Sequence, residues 1–223
     1  MAPYKSSIGR HLGKLAQTFL SNSIGDTINP QNSIVSGGVI VEDGGFRYYV
    51  FTGPGTLSVA QSETPQSTNL LLVGPGGGGG GRLGGGGGGG GVRNFINYPI
   101  PVGSYQVTIE AGGPSMPVTY PNGAKPRGPD ATIINSADSS VLAYATGGGG
   151  GSADNGGSAS DGGSGGGGTG NSGSGGGVTL ASPDGVSPTV QGYPGGDQGG
   201  AGGGGAGGSP PGAGIGGNGA AVN

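Results

Sequence analysis

The chain has 223 residues, 64 of them glycine, about four times the ordinary share of roughly 7 %. With no tryptophan, eight tyrosines and four phenylalanines, it cannot build a large side-chain core, so any fold must lean on its backbone. The absence of cysteine excludes disulfides, a thiolate nucleophile and Cys-ligated metal, and a charged fraction of only 9 % excludes the charge-rich type of disordered chain.

The net charge of −3 is unevenly placed. Lys5, Arg10 and Lys14 come before any acid. Beyond Arg127 there is no Lys or Arg, while Asp130, Asp138, Asp154, Asp161, Asp184 and Asp197 all lie there. An acidic half without cations argues against nucleic acid as a partner, because phosphate contacts need Lys and Arg. No apolar run approaches the ~20 residues that span a bilayer, so no membrane insertion is expected. Gln17 and Thr18 interrupt the stretch from Leu15 to Leu20, which makes a poor signal-peptide core. The expectation is a protein made in a cytoplasm.

Residues 1–45 read as a docking segment. Ile8, Leu12, Leu15, Phe19 and Leu20 recur at three- and four-residue steps, with Ser6 or Ser7 placed to cap and Gly25 placed to stop. This predicts one short amphipathic helix. Such a helix cannot bury its own stripe. It must dock on the rest of the chain, on a copy of itself, or on a larger assembly. The stretch from Thr27 to Gly45 reads as loop with one short strand, Val39–Val41.

Residues 46–223 read as one glycine-rich unit. Strands are expected at 46–52, 56–60, 69–74, 104–112, 131–136 and 141–146, where aromatic and β-branched residues cluster between turn residues. The apolar run of 69–74 suggests a strand covered on both faces. Tyr105, Val107 and Ile109 alternate with Gln106, Thr108 and Glu110, the pattern of a half-buried strand. No second helix is expected.

The glycine runs sit at set places among these strands. Gly76–Gly81 and Gly84–Gly91 follow "LLLV", and Gly147–Gly151 follows "LAYAT". Beyond them the chain is glycine, serine, alanine, proline and aspartate, broken by an excursion at 178–193. A glycine run is flexible coil by default. These runs are pure, tethered at both ends and several in number, which favours polyproline II threads packed on one another. Fixing each backbone costs about 1–2 kcal/mol, while a net hydrogen bond returns about 0.5–1.5 kcal/mol. One thread alone stays unfolded; a stack with bonds on several sides can balance the cost. The expected fold class is therefore mainly β with stacked polyproline/polyglycine II helices, short strands clamping a polyglycine helix sandwich, plus one short N-terminal α-helix.

Catalytic chemistry is not expected. No Gly-Lys-Ser/Thr follows any glycine run, so there is no phosphate-binding loop. His11 is the sole histidine, beside Arg10 on the expected helix, and the serines lack a partner for a triad. Asp154, Asp161, Asp184 and Asp197 are dispersed; pairs of them could hold Ca²⁺, but they read as solvated loop acids. No enzyme, cofactor or metal site is expected.

The succession "YYVFTGPGTLSV", "NLLLVGPGGGGGG", a second glycine run, "VGSYQVTIEAGG" and "AYATGGGGG" resembles the glycine-rich domain common in bacteriophage tail and virion proteins. The same order is similar to the glycine-rich tip adhesins of T-even-like phage tail fibres. The resemblance implies left-handed polyglycine helices carrying loops that bind a bacterial surface receptor. It also implies a place in the virion, with other virion proteins (fibre, tail or capsid) joined through residues 1–45. The candidate recognition residues are then Arg93, Phe95 and Tyr98, Tyr120 and Arg127 in the loop from Met116, and Tyr193 in the excursion, Tyr and Arg being common contact residues. The alternative is a non-adhesive virion protein: a capsid decoration, a head fibre, or a neck or fibre connector. Ice binding by a flat polyglycine bundle is a third reading, poorly matched by a cysteine-free chain with a docking helix.

Overall fold

The computed structural model describes residues 35–60, 67–81, 83–116, 126–153, 158–169, 186, 190–197, 202–205, 207 and 217. The expected helix with Ile8, Leu12, Leu15, Phe19 and Leu20 lies outside the described residues, as does Tyr120. The described chain is mainly β, with no helix. Its strands are β1 (Val35–Ser36), β2 (Val39–Asp43), β3 (Phe46–Val50), β4 (Gly55–Val59), β5 (Ser67–Val73), β6 (Val92–Pro99), β7 (Gly103–Thr108), β8 (Ala131–Asn135) and β9 (Val141–Ala145).

All pairings are antiparallel. One sheet has five strands in the order β1-β4-β7-β8-β9, and β2–β3 and β5–β6 form two-stranded sheets. The alternation expected in β7 is present: Tyr105 and Val107 are buried, and Gln106 between them is exposed. Leu57 and Val59 of β4, Ala131 and Ile133 of β8, and Ala143 and Ala145 of β9 are buried beside them. They join Leu72 of β5 and Phe95 of β6 in one hydrophobic cluster. This small two-layer core follows from period-two patterning on strands too short to bury more. Tyr105, 1 % exposed, donates its hydroxyl to the Pro101 carbonyl at 2.7 Å, and burial pushes its pKa up.

Three expectations need correction. The run at 69–74 is covered on one face only: Leu72 is buried, while Leu71 and Val73 are exposed. The stretch holding Arg93, Phe95 and Tyr98 is not a loop but strand β6, paired with β5 through Leu72↔Arg93 and Leu70↔Phe95. A register shift between Thr68 and Leu70 faces Asn97, whose φ of 53° is a left-handed conformation that asparagine tolerates. The stretch expected as loop before Val39 also holds strand β1, only two residues long, which pairs with Ser58 and Val59.

The β2–β3 hairpin closes through Gly44 and Gly45, with φ of 56° and 82°. Two consecutive positive φ values define the type I′ turn that suits the twist of paired strands, and glycine adopts them without a Cβ penalty.

Candidate functional site

The glycine runs are not strands, yet their backbones are hydrogen-bonded to one another. Gly74, Gly77 and Gly80 donate to Gly91, Gly88 and Gly85 at 2.8, 2.9 and 2.8 Å. The β5–β6 ladder, which ends at Val73↔Val92, thus continues between two antiparallel threads, but with a step of three residues. Gly85, Gly88 and Gly91 donate in turn to Ser152, Gly149 and Thr146, at 2.9, 2.7 and 2.8 Å. This third thread leads directly out of β9.

The remaining groups point to other neighbours with the same step. Gly148 and Gly151 donate to Pro75 and Gly78, and Gly149 and Ser152 donate to Ser164 and Gly167. Ser164 and Gly167 donate to Gly89 and Gly86, and Gly113 and Met116 donate to Gly76 and Gly79. Gly165 and Gly168 donate to Tyr193 and Gly196 at 3.0 and 2.8 Å. Successive residues of one thread therefore face different threads. The approach is so close that side chains are excluded. A Cβ on Gly90 would lie 1.6 Å from the Gly74 carbonyl oxygen, and one on Gly85 1.8 Å from that of Gly167. Short polar residues enter the stack at a few points: Ser152 and Ser164 are fully buried in it.

Polar side chains pin the threads to the strands. Asp130, just before β8, accepts from the Gly147 amide at 2.9 Å and also from the Tyr144 hydroxyl and the Arg127 guanidinium. Burial, and then the bond to Asp130, push the Tyr144 pKa up to about 12. Gln191, 2 % exposed, accepts from the Thr146 amide at 2.8 Å and donates to its hydroxyl at 2.7 Å. Its carbonyl accepts from the Val92 amide at 2.9 Å. Nothing in the local sequence marks Asp130, Tyr144 or Gln191 for these roles, because apart from Arg127 beside Asp130 their partners are 14 or more residues away.

The candidate contact residues separate. Arg93 is fully buried. Its guanidinium donates to the Tyr144 carbonyl at 2.6 Å and to the Val186 carbonyl, and lies 4.5 Å from the Phe95 ring centroid. Phe95 is 4 % exposed, with its ring 4.8 Å from that of Tyr98. Tyr98 donates its hydroxyl to the Leu142 carbonyl at 2.6 Å. These three hold the strand layers together and present no loop. Arg127 is partly exposed but engaged with Asp130. Tyr193 is 43 % exposed, and Val190 near it 72 %, so the end of the excursion does reach the surface. Among the described residues no three His, Asp or Glu side chains gather as a metal site would require.

No curated protein and no solved structure matches the chain. Residues 52–223 match the family model of a glycine-rich domain. That span begins just after the β2–β3 hairpin and takes in the core strands and every thread. The chain belongs to the glycine-rich domain family.

Proposed function

We propose that the threads are polyglycine II helices and that they form the rigid platform of a bacteriophage virion protein, a tail-fibre or tail-tip adhesin. The observation that carries this reading is the three-residue step of the hydrogen bonds. A polyglycine II helix has three residues per turn and no internal bonds, so its donors and acceptors point outward in three directions. Threads bonded on several sides resist bending without any side-chain core. Loops at their ends can then vary freely, which suits display to a bacterial surface receptor. Residues 1–45 join the platform to other virion proteins.

The excursion is the favoured recognition loop. Its end is anchored to the stack by buried Gln191, and Val190 and Tyr193 are exposed beside that anchor. Removing 179–185 spares Val186 and Gln191, so the domain should keep its fold while host adsorption of the phage drops. Unchanged adsorption removes the loop from the site. Electron microscopy of particles labelled against this chain tests the placement. Label at the distal end of a fibre or tail supports the adhesin; label on the head or neck supports the non-adhesive virion protein. Absence of label from particles overturns both.

A further inference from the structure

The β2–β3 hairpin turns an apolar face to solvent. Val39 pairs with Val50, Val41 with Tyr48 and Asp43 with Phe46, and directly paired residues share a face. That face therefore carries Val39, Val41, Phe46, Tyr48 and Val50, which are 39 to 66 % exposed, with Asp43 at its turn end. The opposite face carries Ile40, Tyr49 and the Glu42–Arg47 ion pair, with Nε and Nη2 at 2.9 and 2.6 Å from Oε1. No residue of either strand is buried. A two-stranded ribbon alone is marginal in water and gains independent stability from a helix or further strands packed on it.

We infer that this face is covered by residues 6–24 of the same chain, folded as an amphipathic helix. Ile8, Leu12, Leu15 and Phe19 fall within one narrow arc at 3.6 residues per turn, while Arg10 and Lys14 fall on the opposite side. Burying the arc therefore desolvates neither cation of the helix, and the one charge on the hairpin face, Asp43, lies at its edge beside the turn. The dimensions agree: from Ile8 to Leu20 a helix rises about 18 Å, and a five-residue ribbon is about 17 Å long. The ten residues between Ile24 and Val35 can reach about 33 Å when extended, longer than the hairpin itself. A second copy could offer the same helix, but the tethered one competes at an effective concentration in the millimolar range. Such docking forms within the chain and leaves Arg10 and Lys14 outward, so residues 1–45 meet virion proteins through that polar side.

The cysteine-free chain permits a direct test. In the full chain carrying Val41→Cys, thiol modification should be on the order of tenfold slower than when Leu12→Asp and Leu15→Asp are added, because reaction requires the helix to lift. Equal rates overturn the docking. Protection that grows with protein concentration assigns the face to a second copy and overturns it as well. From the other side, Tyr48→Asp should release residues 6–24 to fast amide exchange while the melting of the glycine-rich domain stays unchanged. Exchange in 6–24 that is unaltered by Tyr48→Asp also overturns it.

Discussion

Arg93 is the side chain whose environment departs furthest from its chemistry. A guanidinium is hydrated by preference, yet this one is fully buried between the Tyr144 and Val186 carbonyls and the Phe95 ring. Its planar fork can serve carbonyls on two segments at once while stacking on an aromatic face, which a lysine ammonium cannot do. Arg93→Ala should cost about 2–5 kcal/mol, as large-to-small changes in a packed interior do, and Arg93→Lys should recover little of it in a thermal melt. Tyr144 sets a pH limit. Its folded pKa of about 12 lies above the ordinary 10.0, so the unfolded chain loses this proton first as pH rises. The stabilising contribution is complete below pH 10 and falls away between pH 10 and about 12. Tyr144→Phe should flatten that part of the stability–pH curve, leaving the weaker loss from Tyr105, also raised by burial.

The threads make a different demand: glycine is required by contact, one position at a time. Gly77 and Gly90 face carbonyl oxygens at 2.1 and 1.6 Å from where a Cβ would sit, whereas nothing lies within 4 Å of the same point on Gly79. Gly77→Ala and Gly90→Ala should each lower stability by about 1–3 kcal/mol or more, the range for overpacking. Gly79→Ala should stay within about 0.5 kcal/mol, as open-surface changes do. Equal effects at all three positions, read by chemical denaturation, would show that the close approach does not hold in solution. Strand β6 illustrates why some elements escaped a reading of the pattern. Alternation is recognised by apolar residues on one face, but Arg93 occupies a core-facing position between glycines and Phe95, so the segment reads as a loop. The one-sided cover of β5 escaped for the opposite reason. Three consecutive leucines and a valine say that a strand is apolar, not which neighbour is missing.

Core and stack are continuous. β5, β6 and β9 run straight into threads, and the ladder from Val73↔Val92 passes to Gly74 and Gly91 without interruption. The domain should therefore unfold in one cooperative transition. Phe95→Ala in the core and Gly88→Ala in the stack should lower the same melting midpoint, the former by the 3–5 kcal/mol typical of a buried aromatic. A thread variant that melts in a separate early step would show that the stack is an appendage. Composition and alternation alone sufficed for the mainly β character, most of the strands, and the demand that glycine backbones bond to each other, because these depend on local preference and on a core too small to act alone. Which thread lies beside which could not be read there. A glycine run carries no side chain to distinguish one register from another, so its partners are inherited from the strands at its ends and from distant anchors such as Asp130 and Gln191, and those are set when the layers pack.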